Sequence, residues 1–512
     1  MKKVSLFVLA FILSISACYT QVTSLPLLQI SDLQYEGAFT IPGDDFGVSN
    51  ANYGTGTLAF NKVNNSLFLG GFELHGAVAE FSIPPLVNST DLSDLNNASI
   101  LQDFRSVLDG TPDSNPQNID RVTGIYLLDN HLIINGMEYY DAPADNTLTT
   151  LSLTDASKLA SSDVNGYFSL AGVAHAAGWI SDIPSDWQSL LGGTHLAGNS
   201  SKYPINSRLP MGISAFSFTA SDIISTSTGN ISTTPLMDFD LTNPLYDDLS
   251  TYADANYNLV KVNGSTFPGH TVDDADIVVG QNTMWTELSQ ASYGFIVPGT
   301  RTYLTLGSSG GHNSGIGYKP QQSDGNVCGG PCSYDANDSY NYYWLWDVND
   351  LLAVKNGTMI AHAVRPYAYG EFTVPFQSDV YYDTEEFHEI VGGAYDADAN
   401  LLYLSIYDGA STGPYDVRPV IVAYSINNLI SSIAETEKNT TIKILPNPTK
   451  NTFRFSIDQG IFKELSIYSN IGQHLKKSSF QEVDISELES GLYHVRFRLT
   501  DGSIVTEQLI VD

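Results

Sequence analysis

The residues of this chain that could do chemistry are histidine, tyrosine, arginine and asparagine, with a few carboxylates, and they gather at the ends of alternating apolar segments. Just before such segments lie Asn52 and Tyr53, Arg121, Arg208, Tyr293, and His388 with Glu389. Just after the segments that pair with them lie Glu73 and His75, Glu138 with Tyr139 and Tyr140, His312 with Asn313, and Tyr407 with Asp408. A long insert before Arg208 adds His195, Asn199 and Lys202. Residues 21–430 hold only 12 basic residues, so arginine at these positions is not ordinary surface decoration. Such a set suits β-elimination from a uronic-acid polymer. There the substrate carboxylate is neutralised by Arg, His or Asn, a His or Tyr removes the acidified proton, and a Tyr or His protonates the leaving oxygen. In that assignment His75 and His312 act as base or carboxylate partner, Tyr293 as acid or base, and Arg208 as the clamp on a carboxylate or sulfate. Tyr53, Arg121, Glu138, Tyr139, His195, Asn199, Asn313, His388 and Tyr407 would bind the substrate.

Two other readings stand beside it. Paired carboxylates could hydrolyse a glycosidic bond. Glu73, Glu138 and Glu389 are available, but no spacing selects a pair and the His, Tyr and Arg would be left unused. The third reading is a non-enzymatic surface protein that binds glycan or protein, with the aromatic run 340–346 as a platform. Trp344 and Trp346 nevertheless alternate as core strand residues do. Each single residue also has a structural explanation: Arg121 follows Asp120 and can pair with it, and Arg301 falls in a hairpin turn. No Gly-x-Ser-x-Gly, His-Glu-x-x-His or phosphate-cradling glycine loop occurs. The chemistry requires no cofactor, and no metal ligand set is assigned. Calcium is one option, since residues 396–400 (Asp-Ala-Asp-Ala-Asn) look like a calcium loop, but their position matches a hairpin turn. Asp273, Asp274 and Asp276 form a weaker cluster of the same kind.

The elements that position these residues repeat. An alternating strand followed by a short polar step and an aliphatic residue begins at Ala79, Thr150, Ala215, Trp344 and Ala423. The interval from Ala215 to Trp344 is about twice the others, which predicts a degenerate copy near residue 280. A hairpin precedes the strand at 57–70, 124–135, 294–307 and 393–405, with Asn, Asp and Gly in the turns. Repeated four-stranded antiparallel sheets arranged radially make a β-propeller. The expected fold is therefore all-β: a six- or seven-bladed propeller over residues 21–430. In that geometry the start of each first strand and the end of each second strand converge on one face, which is where the chemistry-bearing residues fall.

Composition agrees with strands and turns. Of 512 residues, 42% are hydrophobic and only 15% charged, with 29 tyrosines and 42 glycines. The formal net charge of −33 excludes nucleic acid as a partner. It also repels polyanions at long range unless salt screens it. The acid excess belongs to the body, because residues 441–512 hold 8 basic and 9 acidic residues. Met1-Lys2-Lys3, an apolar run over 4–15 and the small residues Ser16 and Ala17 describe a secretory signal over residues 1–20. Ile15-Ser16-Ala17-Cys18 also resembles a lipobox, which would lipidate Cys18; the alternative is cleavage before Gln21. The other two cysteines, Cys328 and Cys332, read as a local disulfide, with a zinc site including His312 as the alternative. No later segment is apolar enough to be transmembrane.

After a polar linker over 431–441 the texture changes. Pro446-Asn447-Pro448 leads into alternating strands at 452–457, 464–468, 491–499 and 504–511. Leu465-Ser466-Ile467-Tyr468-Ser469-Asn470-Ile471-Gly472, Val483-Asp484-Ile485-Ser486, Ser490-Gly491-Leu492-Tyr493 and the closing Gln508-Leu509-Ile510-Val511 follow in order. Residues 442–512 thus resemble the C-terminal sorting domain of the type IX secretion system of Bacteroidetes. The resemblance implies a small β-sandwich, Sec export, contact with the type IX machinery, and removal of the tail with release or surface attachment. In architecture, residue types and secretion route, with no motif matched, the body is similar to the propeller polysaccharide lyases of marine bacteria, such as ulvan lyases. That likeness implies an extracellular anionic, ulvan-like polysaccharide as partner.

Overall fold

Segments that alternate or run apolar over four to nine residues, separated by Asn, Asp and Gly, can bury their side chains only by pairing into sheets that pack face to face. The computed structural model of the chain follows this logic. It describes residues 22–108, 115–141, 143–200, 210–225, 229–240, 242–245, 284–286, 288–313, 315–318, 321–378, 387–413, 415–427, 442–456, 462–469, 474–480, 482–488, 490–499 and 504–511. The signal with Cys18, Arg208, Lys202, the Asp273–276 cluster, the linker 431–441 and the expected repeat near 280 lie outside these residues. The chain divides into two compact units, residues 1–428 and 429–512.

The first unit is built from five mixed or antiparallel sheets of four or five strands. The first strands of the five are Leu58–Asn61, Arg121–Leu128, Ile180–Asp182, Gln290–Ile296 and Ile390–Asp396. Each packs against the first strands of two other sheets, in that order and back to the start. The hairpin partners are Ser66–Gly70, His131–Met137, His195–Ala197, Thr302–Gly310 and Leu401–Ile406. Third strands are Ala77–Ser82, Thr150–Leu153, Ala215–Phe218, Ser339–Asp347 and Val420–Ile426, at the positions of the sequence repeat. In two repeats the polar step after the third strand is a helix cap. Asp155 accepts the Ser157 N–H and starts the turn Ala156–Ser161, and Asp347 accepts the Asn349 N–H and starts the helix Val348–Lys355.

Among the described residues there are five such sheets, where the sequence suggested six or seven. The long interval after Ala215 is not filled by a sheet of the described chain: the third sheet continues to Thr234–Met237 and the fourth begins at Gln290. The fifth sheet is completed from the other end of the sequence. Leu33–Thr40 pairs antiparallel with Val420–Ile426, from Leu33 opposite Ile426 to Thr40 opposite Val420. Strands such as Thr302–Gly310 are buried at every position, because sheets pack on both of their faces. Trp344 and Trp346 are fully buried; the first donates its indole N–H to the Met284 carbonyl (2.7 Å) and the second to Thr305 Oγ1 (3.0 Å). The aromatic run 340–346 is therefore largely core rather than a binding platform.

Residues 396–400 form the turn of the fifth hairpin. Asp396 Oδ1 accepts the N–H groups of Asp398 (3.0 Å) and Ala399 (3.2 Å), and Asn400 takes a left-handed φ of 54°. Cys328 and Cys332 are disulfide-bonded, with Cα atoms 6.4 Å apart.

The second unit has a three-stranded sheet (Lys443–Leu445, Thr452–Ser456, Glu482–Asp484) and a four-stranded sheet (Phe462–Ser469, His474–Ser478, Gly491–Leu499, Ile504–Val511). They enclose a separate core that includes Phe453, Leu465, Ile467, Val495 and Phe497. Asn447 of the Pro-Asn-Pro motif pins the end of the last strand. Its Nδ2 donates to the Gln508 carbonyl (2.6 Å) and its Oδ1 accepts the Ile510 N–H (2.8 Å).

Candidate functional site

The starts of the first strands surround a cavity of about 300 Å³ lined by Glu73, Arg121, Tyr139, Asn199 and Gln290, with Trp179 in its wall. A repeated irregularity shapes it. The second, fourth and fifth sheets each shift register at the same point, between Val122 and Gly124, Ala291 and Tyr293, and Ile390 and Gly392. The extra residues are Thr123, Ser292 and Val391, and all three line the cavity. A bulge re-aims a side chain without ending the strand.

Arg121 is the electrostatic centre. Its side chain is only 14% exposed, with Glu73 Oε2 3.7 Å from Nε and Asp120 Oδ2 3.4 Å from Nη1. The guanidinium carbon lies 4.9 Å from the centre of the Tyr139 ring, a cation–π contact. Arg121 Nε is buried yet has no hydrogen-bond partner. Asn199 is buried; its Nδ2 donates to the Ala174 carbonyl (2.7 Å) and its Oδ1 accepts the Ser200 N–H (2.8 Å). The cavity therefore offers amides, hydroxyls, one half-exposed ring, and a cation already faced by two carboxylates.

Of the residues singled out in the sequence, Glu73, Arg121, Tyr139 and Asn199 come together here. The other described ones do not line this cavity. His75 sits exposed on the turn Glu73–His75, with Nδ1 3.0 Å from Ser49 Oγ and its ring against Phe72. Tyr53 meets the edge of the same Phe72. His312 is buried, stacked on Tyr342 at 5.2 Å, with Nε2 2.6 Å from Ser309 Oγ. Asn313 donates to Tyr340 Oη (2.6 Å). His388 is 1% exposed and donates from Nδ1 to the Phe376 carbonyl (2.9 Å), with Asp408 Oδ2 3.9 Å from Nε2. The Tyr407 N–H donates to the Glu389 carbonyl (2.8 Å). Glu138 groups with Asp141 and Asp145, their carboxylate oxygens within 4.8 Å of one another. Asp141 is buried and already accepts the N–H groups of Asp145 and Asn146.

Two assignments are corrected in position. His195 opens its strand opposite Asp182, the last residue of the first strand, so it lies at the other end of the sheet from Asn199. Tyr293 follows the bulge and lines a different cavity together with Tyr126 and Asp182. Sequence reasoning missed Thr123, Ser292, Gln290 and Trp179; nothing in their types or spacing marks them.

Residues 443–512 match the family model of the secretion system C-terminal sorting domain. The tail is a type IX sorting domain, which interacts with that machinery and directs the chain to the cell surface or extracellular space. Among the described residues no helix is long and apolar enough to cross a membrane. No curated protein matches the chain. Solved structures that resemble it include the extracellular domains of the putative hybrid two component systems BT4673 and BT3049 from B. thetaiotaomicron. The first is 12% identical with a TM-score of 0.27 and covers 94% of this chain and 59% of that one. The second is 10% identical with a TM-score of 0.26, covering 93% and 57%. The chain thus spans less than two thirds of the length of these structures.

Proposed function

We propose that the body is a five-bladed β-propeller, closed by its N-terminal strand, that binds a neutral saccharide unit outside the cell in the cavity beside Arg121. The observation that carries this reading is the lining of the cavity: amides, hydroxyls and the half-exposed Tyr139 ring around a cation already faced by two carboxylates. The amides and hydroxyls would hydrogen-bond the hydroxyls of a sugar, and the ring face would cover its apolar side. A volume of about 300 Å³ is at the lower end of ligand cavities. Arg121 faces Glu73 and Asp120, so the local charge is already negative and a uronate or sulfate gains little there. Of the residues assigned to β-elimination, His75, His312 and Tyr293 do not line this cavity and Arg208 lies outside the described residues, which ranks binding ahead of lyase chemistry.

The test is a glycan array followed by calorimetric titration of the retained neutral oligosaccharides. Tyr139→Ala, at an exposed ring, is expected to weaken binding about tenfold, the usual loss of one aromatic anchor, with an unchanged melting curve. Unsaturated products seen by ultraviolet absorbance on uronic-acid polymers would restore the lyase. New reducing ends would make the protein a hydrolase. Absence of any glycan binding, or tight binding untouched by Tyr139→Ala, would overturn the assignment of the cavity.

A further inference from the structure

A second cavity, of about 440 Å³, lies at the opposite ends of the same first strands. Its composition differs from that of the first. Five rings line it: Phe60, Tyr126, Tyr293, Phe295 and Tyr395. Phe295 stacks on Tyr395 with ring centres 4.5 Å apart, and Tyr293 lies 5.7 Å from Phe295. Three carboxylates, Asp182, Asp396 and Asp398, also line it, against the single cation Lys62, which pairs with Asp398.

Asp182 is held in place and held open. Its Oδ1 accepts the Tyr126 hydroxyl (2.7 Å) and lies 3.3 Å from His195 Nε2, which is itself 2.9 Å from Tyr126 Oη. Thr194 Oγ1 stands 2.8 Å from His195 Nδ1. A hydroxyl donated to Nδ1 leaves the ring proton on Nε2, aimed at the tyrosine and the carboxylate. His195 is only 8% exposed, whereas the Asp182 side chain keeps 75% of its surface accessible. Although its side chain stays accessible, the protein packed around Asp182 desolvates the carboxyl and alone would raise it; His195 and Tyr126 outweigh this and hold it below the usual carboxylate range. Burial also keeps the Tyr126, Tyr293 and Tyr395 phenols well above their ordinary range, so the rings stay neutral. Ser181, which also lines the cavity, is 3% exposed and its Oγ has no hydrogen-bond partner.

We propose that this cavity is a second binding site, for a small organic cation carrying an ammonium head. Aromatic faces present negative charge to a cation and are strongest when desolvated. An open, ionised carboxylate beside them adds attraction that a neutral ligand cannot use. A hard metal ion fits less well, because it needs several oxygens converging on one point. Among the described residues the carboxylates that converge in this way are Glu138, Asp141 and Asp145, elsewhere in the chain. The net charge of −33 further concentrates cations near the protein. This site is independent of the saccharide reading.

The experiment titrates the secreted chain calorimetrically with choline, n-butylamine, and the neutral isostere of choline in which a tert-butyl group replaces trimethylammonium. At least one cation should bind at least about tenfold more tightly than the neutral isostere. Asp182→Asn should abolish most of that difference, Tyr395→Phe should keep it, and Tyr139→Ala in the other cavity should leave it unchanged. Equal binding of the isostere, failure of both cations to bind, or full cation preference in a folded Asp182→Asn protein would overturn the proposal.

Discussion

Replacing Gly124 by alanine should lower the stability of the body by about 3 kcal/mol, the upper end of the usual cost of forcing a carbon into a filled interior. A Cβ at this position would stand 2.0 Å from the Gly178 carbonyl oxygen and 2.7 Å from the carbonyl carbon. Those are backbone atoms, so no rotamer change relieves the clash. Gly124 lies in the first strand of the second sheet and Gly178 just before the first strand of the third, where the two approach each other. The same close approach recurs where a Cβ on Gly392 would stand 2.0 Å from the Gly56 carbonyl oxygen. Gly329 supplies the control, since a Cβ there meets nothing within 4 Å. Urea unfolding followed by tryptophan fluorescence measures both variants. Gly124→Ala should shift the midpoint strongly and Gly329→Ala should not. Equal midpoints for the two would refute the contact between the second and third sheets.

Deleting residues 22–40 should have a still larger effect: loss of soluble, cooperatively folding body. Leu33–Thr40 supplies the strand that pairs with Val420–Ile426, and its Leu33, Ala38 and Phe39 side chains are buried. Without it the sequence Val-Ile-Val-Ala-Tyr-Ser-Ile presents an open edge of unpaired backbone groups. A long apolar edge of this kind pairs with other chains. Size-exclusion chromatography and thermal melting of the truncated protein check this. A monomer melting like the full chain would show that the strand is dispensable.

What could be read from the sequence depended on how locally each feature was encoded. Four hairpins were legible because their turns carry Asn, Asp or Gly, and the structure shows why: Asn65, Asp129, Gly299 and Asn400 all take positive φ, a region those residues tolerate. The third hairpin was not legible. Its strands Ile180–Asp182 and His195–Ala197 have three residues each, and the helix Ser185–Leu191 lies between them. No alternation can register over three residues. That insertion is also why His195 was placed at the wrong end of its sheet. The site was read in part, since strand-end logic brought Glu73, Arg121, Tyr139 and Asn199 together. It failed at the bulges. An extra residue is defined only relative to the partner strand, and it turns every later side chain to the other face. Ser292 therefore enters one cavity and Tyr293 the other.

The pairing of Leu33 with Ile426 has a consequence for the order of folding. Of the five sheets, the fifth is the one whose completing strand lies farthest along the chain from its partner. Closing a loop of that length carries the largest entropy penalty in the body, so this pairing has little reason to form early. The fifth sheet is therefore completed only once Val420–Ile426 is available to pair. The edge of Val420–Ile426 is thus the last of the body's strand edges to be covered.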